Sequence, residues 1–161
     1  KKDAPKLKKL YGAWLELKNG LKNFESRAPN LPEGISEGAF SLEFDCPRVL
    51  DVTGTPGSYD CYNPKTHERI QIKATTIRYD LTSFGPDSVW DVLYLLDFYR
   101  DGKFDGTYDV YKIPNDLIYG HQISKTQTFR DQQAQGRRPR FGIKQKIIEK
   151  HNIKPVKTCQ I

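Results

Sequence analysis

Two short segments around a polar turn, Ser58 to Tyr62 and Arg69 to Ala74, constrain this chain more than any other stretch. In both, apolar and polar residues alternate: Tyr59, Cys61, Ile70 and Ile72 are apolar, while Ser58, Asp60, Gln71 and Lys73 are polar. A period of two is the pattern of a strand with one buried face. Between them, Asn63-Pro64-Lys65-Thr66-His67-Glu68 carries turn chemistry. If Asn63 pairs with Glu68, Asp60 falls opposite Gln71 and Ser58 opposite Lys73. One hairpin then presents a carboxylate, an amide and an ammonium on one face, over an apolar underside.

That trio has a chemical use. A carboxylate and a backbone carbonyl make an oxygen site for Mg²⁺, which takes oxygen ligands and keeps several waters. A neighbouring ammonium can hold an attacking water and offset charge on a phosphate. The plain alternative is a solvated hairpin face, where Asp and Lys are ordinary.

The rest of the chain supplies layers for this hairpin. Leu7, Leu10, Tyr11, Trp14, Leu15 and Leu17 keep largely helical spacing, so a helix is expected from Pro5 to about Asn19, stopped by Asn19-Gly20. It is a packing helix or a dimer helix. A second helix is expected from Glu33 to Phe44, with Glu37 on the side of Phe40 and Phe44. Glu43 and Asp45 are the spare acids there. Val49 to Val52 reads as a short strand. Val89 to Tyr99 is apolar enough for a buried strand, and Thr107 to Ile113 returns beside it. A short helix should start at Pro114-Asn115, capped by Asn115. The expected class is α/β, a mixed central sheet of four or five strands flanked by helices in a single domain of residues 1–161.

Charge is unevenly spread. Of the 26 Lys and Arg residues, ten fall in residues 119–161, against two acids. A basic quarter of this kind suits a polyanion, because its cations displace counterions condensed on phosphates. Within about 119–145, Lys125, Gln132, Gln133, Gln135, Arg137, Arg138 and Arg140 are interleaved. Arg and Gln are the side chains that make bidentate contacts to guanine and adenine edges. Gly136 to Arg140 should be an extended loop, and Ile143 to His151 a closing basic helix. His67, His121 and His151 match no zinc spacing. Cys46, Cys61 and Cys159 form no Cys-x-x-Cys pair, and a reducing cytoplasm is expected. No apolar run approaches a membrane span.

The hairpin resembles the active-site motif of the PD-(D/E)XK nucleases: Asp60, ten residues, then Gln71-Ile72-Lys73. Pro32 to Phe40 is similar to the helix that precedes the sheet in small type II restriction endonucleases, with Glu37 in the place of its acid. The similarity covers about residues 32–113. Gln71 departs from the commoner carboxylate and puts less negative charge on an ion. The resemblance implies a restriction-endonuclease-like core and Mg²⁺-dependent hydrolysis of double-stranded DNA at a short sequence, by a homodimer. It implies that Asp60 and the Ile72 carbonyl ligate the metal and that Glu37 acts on it through a water. Lys73 would position the attacking water, and Gln71 would hold the water shell or a second ion. Two rivals stay open: a nuclease of the same fold that recognises DNA structure or mismatches, and a DNA-binding module without catalysis.

Overall fold

The computed structural model describes residues 2–24 and 27–161. Its centre is a five-stranded sheet in the order β1 (Cys61–Tyr62), β2 (Arg69–Thr75), β4 (Val92–Asp97), β5 (Thr107–Ile113), β7 (Lys157–Gln160). β2 and β4 are parallel and the other neighbours antiparallel, so the sheet is mixed. β4 is central and hydrophobic on both faces, with Leu93, Leu95 and Leu96 all at most 1% exposed. That is how a strand covered on both sides reads.

One face carries α1 (Ala4–Leu21) and α2 (Glu33–Phe44). Ile35, Ala39 and Phe40 of α2 meet Ile70, Ile72, Val92 and Leu96 of the sheet. Phe40 stacks between Phe44 and Tyr94, at 4.5 and 4.9 Å between ring centroids. The other face packs Leu93, Leu95 and Ile113 against Phe84, Trp90, Phe129, Phe141 and Ile147.

α1 runs one residue past the Asn19-Gly20 stop, to Leu21. Val49–Thr53 is a helical turn, α3, and not a strand. Its β-branched residues favour extension locally. Extension loses because Val49 donates its N–H to the Asp60 carbonyl, which fixes the start of the turn, and Gly54 closes it at φ 73°. In α4 (Asn115–Tyr119) the cap position is Pro114; the Asn115 side chain instead accepts from Trp90 Nε1 and donates to the Asp91 carbonyl.

Residues 136–139 form the expected loop, but elements flank it on both sides within the basic segment. The segment holds α5 (Phe129–Ala134), opened by a reciprocal Thr128–Asp131 capping box. Arg140–Phe141 forms β6, which pairs with β3 (Thr82–Ser83). Lys144–Glu149 is a π-helix. Its Lys144 reaches the buried Asp97 carboxylate. Cys46, Cys61 and Cys159 are buried free thiols.

Candidate active site

The expected register holds where β1 is regular: Cys61 faces Ile70 and Tyr62 faces Arg69, with Asn63 donating to the Glu68 carbonyl. β1 then ends after two residues. Ser58 is therefore not paired with Lys73; its carbonyl accepts from Val89 instead. The shortness of β1 matters, because it leaves the outer edge of β2 open beyond Ile70. The Asp60 carboxylate fills that opening, and Oδ2 accepts from the Ile72 N–H at 2.7 Å. In an extended strand a residue's N–H and C=O point to the same side. The Ile72 carbonyl thus projects toward the edge that Asp60 occupies.

Glu37 arrives from α2. Its Oε2 accepts from Arg48 Nε at 3.2 Å, with Arg48 Nη2 at 3.1 Å. Arg48 is held beside the hairpin by an antiparallel bridge to Cys61. Burial, then the nearby Asp60 carboxylate, push Glu37 up to about 7 despite Arg48. Burial also raises Asp60, against the opposing Ile72 N–H and Lys73. Lys73 is lowered, burial outweighing the pull of Asp60 and Glu33. Two carboxylates crowded out of water beside one depressed amine are a functional-site pattern.

Gln71 is 6% exposed, and its Oε1 is buried without a hydrogen-bond partner. Such an orphan costs about 1–3 kcal/mol. Asp60, the Ile72 carbonyl and this amide oxygen are oxygen donors throughout, and they fit a hard divalent cation such as Mg²⁺. Among the described residues no group of three His, Cys, Asp or Glu side chains forms a metal cluster. The donor set therefore depends on an amide and a backbone carbonyl to complete it.

A cleft of about 440 Å³ opens here, lined by Glu33, Ser36, Ile72, Lys73, Asp80, Arg138 and Arg140, among others. Lys73 Nζ lies 4.9 Å from the Phe84 ring centroid. Phe84 in turn donates its N–H to the Pro139 carbonyl, and Ser83 pairs with Arg140. The β3–β6 ladder thus clamps the basic segment across the cleft from Lys73.

The structure sorts the seven basic-segment candidates. Arg138 and Arg140 wall the cleft, and Lys125 is exposed on a turn. Gln132 is 6% exposed, and Gln133 donates to the Gly85 carbonyl. Gln135 and Arg137 are both held by Gln127, whose Oε1 accepts from Arg137 Nη1 at 2.7 Å. Of the spare acids, Glu43 pairs with Lys157, and Asp45 is the exposed left-handed cap of α2. Neither adjoins Asp60. His67 sits in the turn at φ 60° against the Tyr62 hydroxyl. Sequence reading missed Glu33 and Arg48. Glu33 was legible as one helical turn before Glu37; Arg48 is placed by its bridge to Cys61.

No described helix is long and apolar enough to cross a membrane. A family model described as Bsp6I restriction endonuclease matches residues 1–150. The type II restriction enzyme Bsp6I of Bacillus sp. (strain RFL6) is 40% identical over 158 residues, covering 95% of this chain and 85% of that enzyme. The chain therefore belongs to the Bsp6I restriction endonuclease family.

Proposed function

We propose that this restriction endonuclease hydrolyses phosphodiester bonds of duplex DNA at a short sequence, with Asp60, Gln71, Lys73 and Glu37 as its working residues and Mg²⁺ as its cofactor. One observation carries the proposal: the Asp60 carboxylate is latched to the Ile72 N–H, near Glu37 and Lys73, and Ile72 and Lys73 line a cleft together with Arg138 and Arg140.

Asp60, the Ile72 carbonyl and Gln71 Oε1 would hold the cation, with Glu37 behind them. The bound ion would polarise the phosphoryl group and offset its developing charge. Lys73 orients the attacking water through Nζ, and an amine depressed by burial can also take its proton. The water oxygen bonds to phosphorus as the bond to the 3′ oxygen breaks, which leaves a 5′-phosphate. Arg138 and Arg140 grip the flanking phosphates. Arg48 positions Glu37 and balances its charge.

Two copies cutting a palindrome account for double-strand scission most simply. On α1, Leu10 and Leu17 are 53% and 54% exposed. An exposed apolar pair seven residues apart suits a helix seam with a second copy.

Digestion of a mapped plasmid with Mg²⁺, followed by sequencing of the ends, tests the reading. Discrete fragments with one common end sequence support it. Structure-dependent nicking would favour the structure-specific rival, and a chain that cuts with neither Mg²⁺ nor Mn²⁺ the binding-only rival. Sedimentation of the wild type and Leu17→Glu tests the dimer; a wild type that runs as a monomer overturns that part.

A further inference from the structure

Beyond Arg140 the cleft continues into a larger groove of about 690 Å³, with Leu81 and Arg140 lining both. Its walls include Arg140, His121, Lys146 and Lys150, and Asp116 is the only acid lining it among the described residues. Phe141 and Ile147 supply apolar wall from the core. His121 lies flat on Phe141, with centroids 4.2 Å apart, and burial first, then the charges of Lys150 and Lys146, disfavour its protonation.

Among the described residues only a minority of the cations are ion-paired; what sets this groove apart is that three unpaired ones share its wall. Arg48, Arg69, Arg100, Lys144 and Lys157 each have a carboxylate within 4.0 Å. Among the described residues, Arg140, Lys146 and Lys150 have none. The π-helix explains the contrast. It turns Ile147 and Ile148 into the core and ties Lys144 to Asp97, which leaves Lys146 and Lys150 on the groove side. Neighbouring unpaired cations repel one another, and a polyanion removes that cost.

We infer that this groove is a second DNA site, which seats the backbone phosphates of the duplex beside the scissile bond on Lys146 and Lys150. The inference rests on the nuclease reading above and adds to it the path the duplex takes away from the cut. Continuity through Arg140 selects DNA over an acidic protein, since a strand engaged at Lys73 must leave past Arg140. Backbone contacts position DNA without reading its sequence.

Each phosphate contact contributes about 0.9 to the slope of log affinity against log salt concentration on duplex DNA. The full chain in EDTA is titrated with two duplexes of equal length, one carrying the cleaved sequence and one unrelated, between about 50 and 200 mM salt. K146Q and K150Q should each flatten the slope by about 0.9 and the double variant by about twice that, equally on both duplexes. Lys9→Gln, on exposed α1, should leave it unchanged. Unchanged slopes for K146Q/K150Q overturn the channel, as does a loss confined to the cleaved sequence. Both side chains are exposed, and thermal unfolding confirms that the variants fold. Plasmid digestion by the wild type decides the nuclease reading separately. A chain that cuts, but whose slope ignores both lysines, loses only the channel. One that does not cut loses the nuclease reading, while the unrelated duplex still decides the channel.

Discussion

Glu37→Gln offers a measurement in which the site shows itself without DNA or metal. Glu37's folded value is about 7 against an ordinary 4.5, and its side chain is only 13% exposed, so solvent screening discounts little. The sign follows from the raised value. Stability tied to the neutral carboxyl is fully present below about pH 4.5 and is lost as pH rises through about 7. At about 1.4 kcal/mol per tenfold change in proton affinity, the gap amounts to about 3 kcal/mol. Gln is neutral throughout and loses the Arg48 ion pair at every pH, so the comparison is of slopes. Urea unfolding in EDTA at pH 5, 6, 7 and 8 should show the wild type losing about 2.5 kcal/mol relative to E37Q across that range, the remainder being lost already below pH 5. Parallel curves, or a wild type that gains on the variant as pH rises, would refute a buried, charge-crowded Glu37.

Other outcomes follow from the same geometry. Lys73→Ala should cut DNA at least about 10²-fold more slowly at saturating Mg²⁺ while still binding the duplex, measured by single-turnover cleavage and a gel-shift titration. Asp60→Asn keeps an oxygen for the Ile72 N–H, so metal-free stability at pH 8 should not fall; the rise in melting temperature on adding Mg²⁺ should vanish. Arg137→Ala should weaken binding to the cleaved sequence by about 1–3 kcal/mol if Arg137 touches a base, whereas equal loss on unrelated DNA would make it a phosphate contact. Phe40→Ala removes a ring that is 1% exposed between Phe44 and Tyr94 and should cost about 3–5 kcal/mol in urea unfolding.

What the chain alone determined was local and periodic. The helical stripe of Glu33–Phe44 and the alternation of Thr107–Ile113 gave those two elements their observed bounds, because each pattern matches one backbone repeat. The turn from Asn63 to Glu68 set the hairpin register, so the pairing of Cys61 with Ile70 was legible before any coordinates. A Thr128-x-x-Asp131 cap was also readable and marks a helix that composition had hidden.

Tertiary structure decided what depends on residues far apart in sequence. Val49–Thr53 coils because its first amide is spoken for by the Asp60 carbonyl, against its own β-branched preference. Lys157–Gln160 becomes a strand because β5 has an edge to complete, and nothing within those four residues announces it. Gln132 and Gln133 look alike in a string of letters, yet Gln132 is buried and half-exposed Gln133 bonds back to the Gly85 carbonyl, since only packing determines which side of a short helix is wet. Arg48 joins Glu37 through a bridge to Cys61, and Arg138 meets Lys73's cleft through the β3–β6 ladder. Periodicity encodes which face of a segment is apolar; which partner covers that face is fixed only when the whole chain closes on itself.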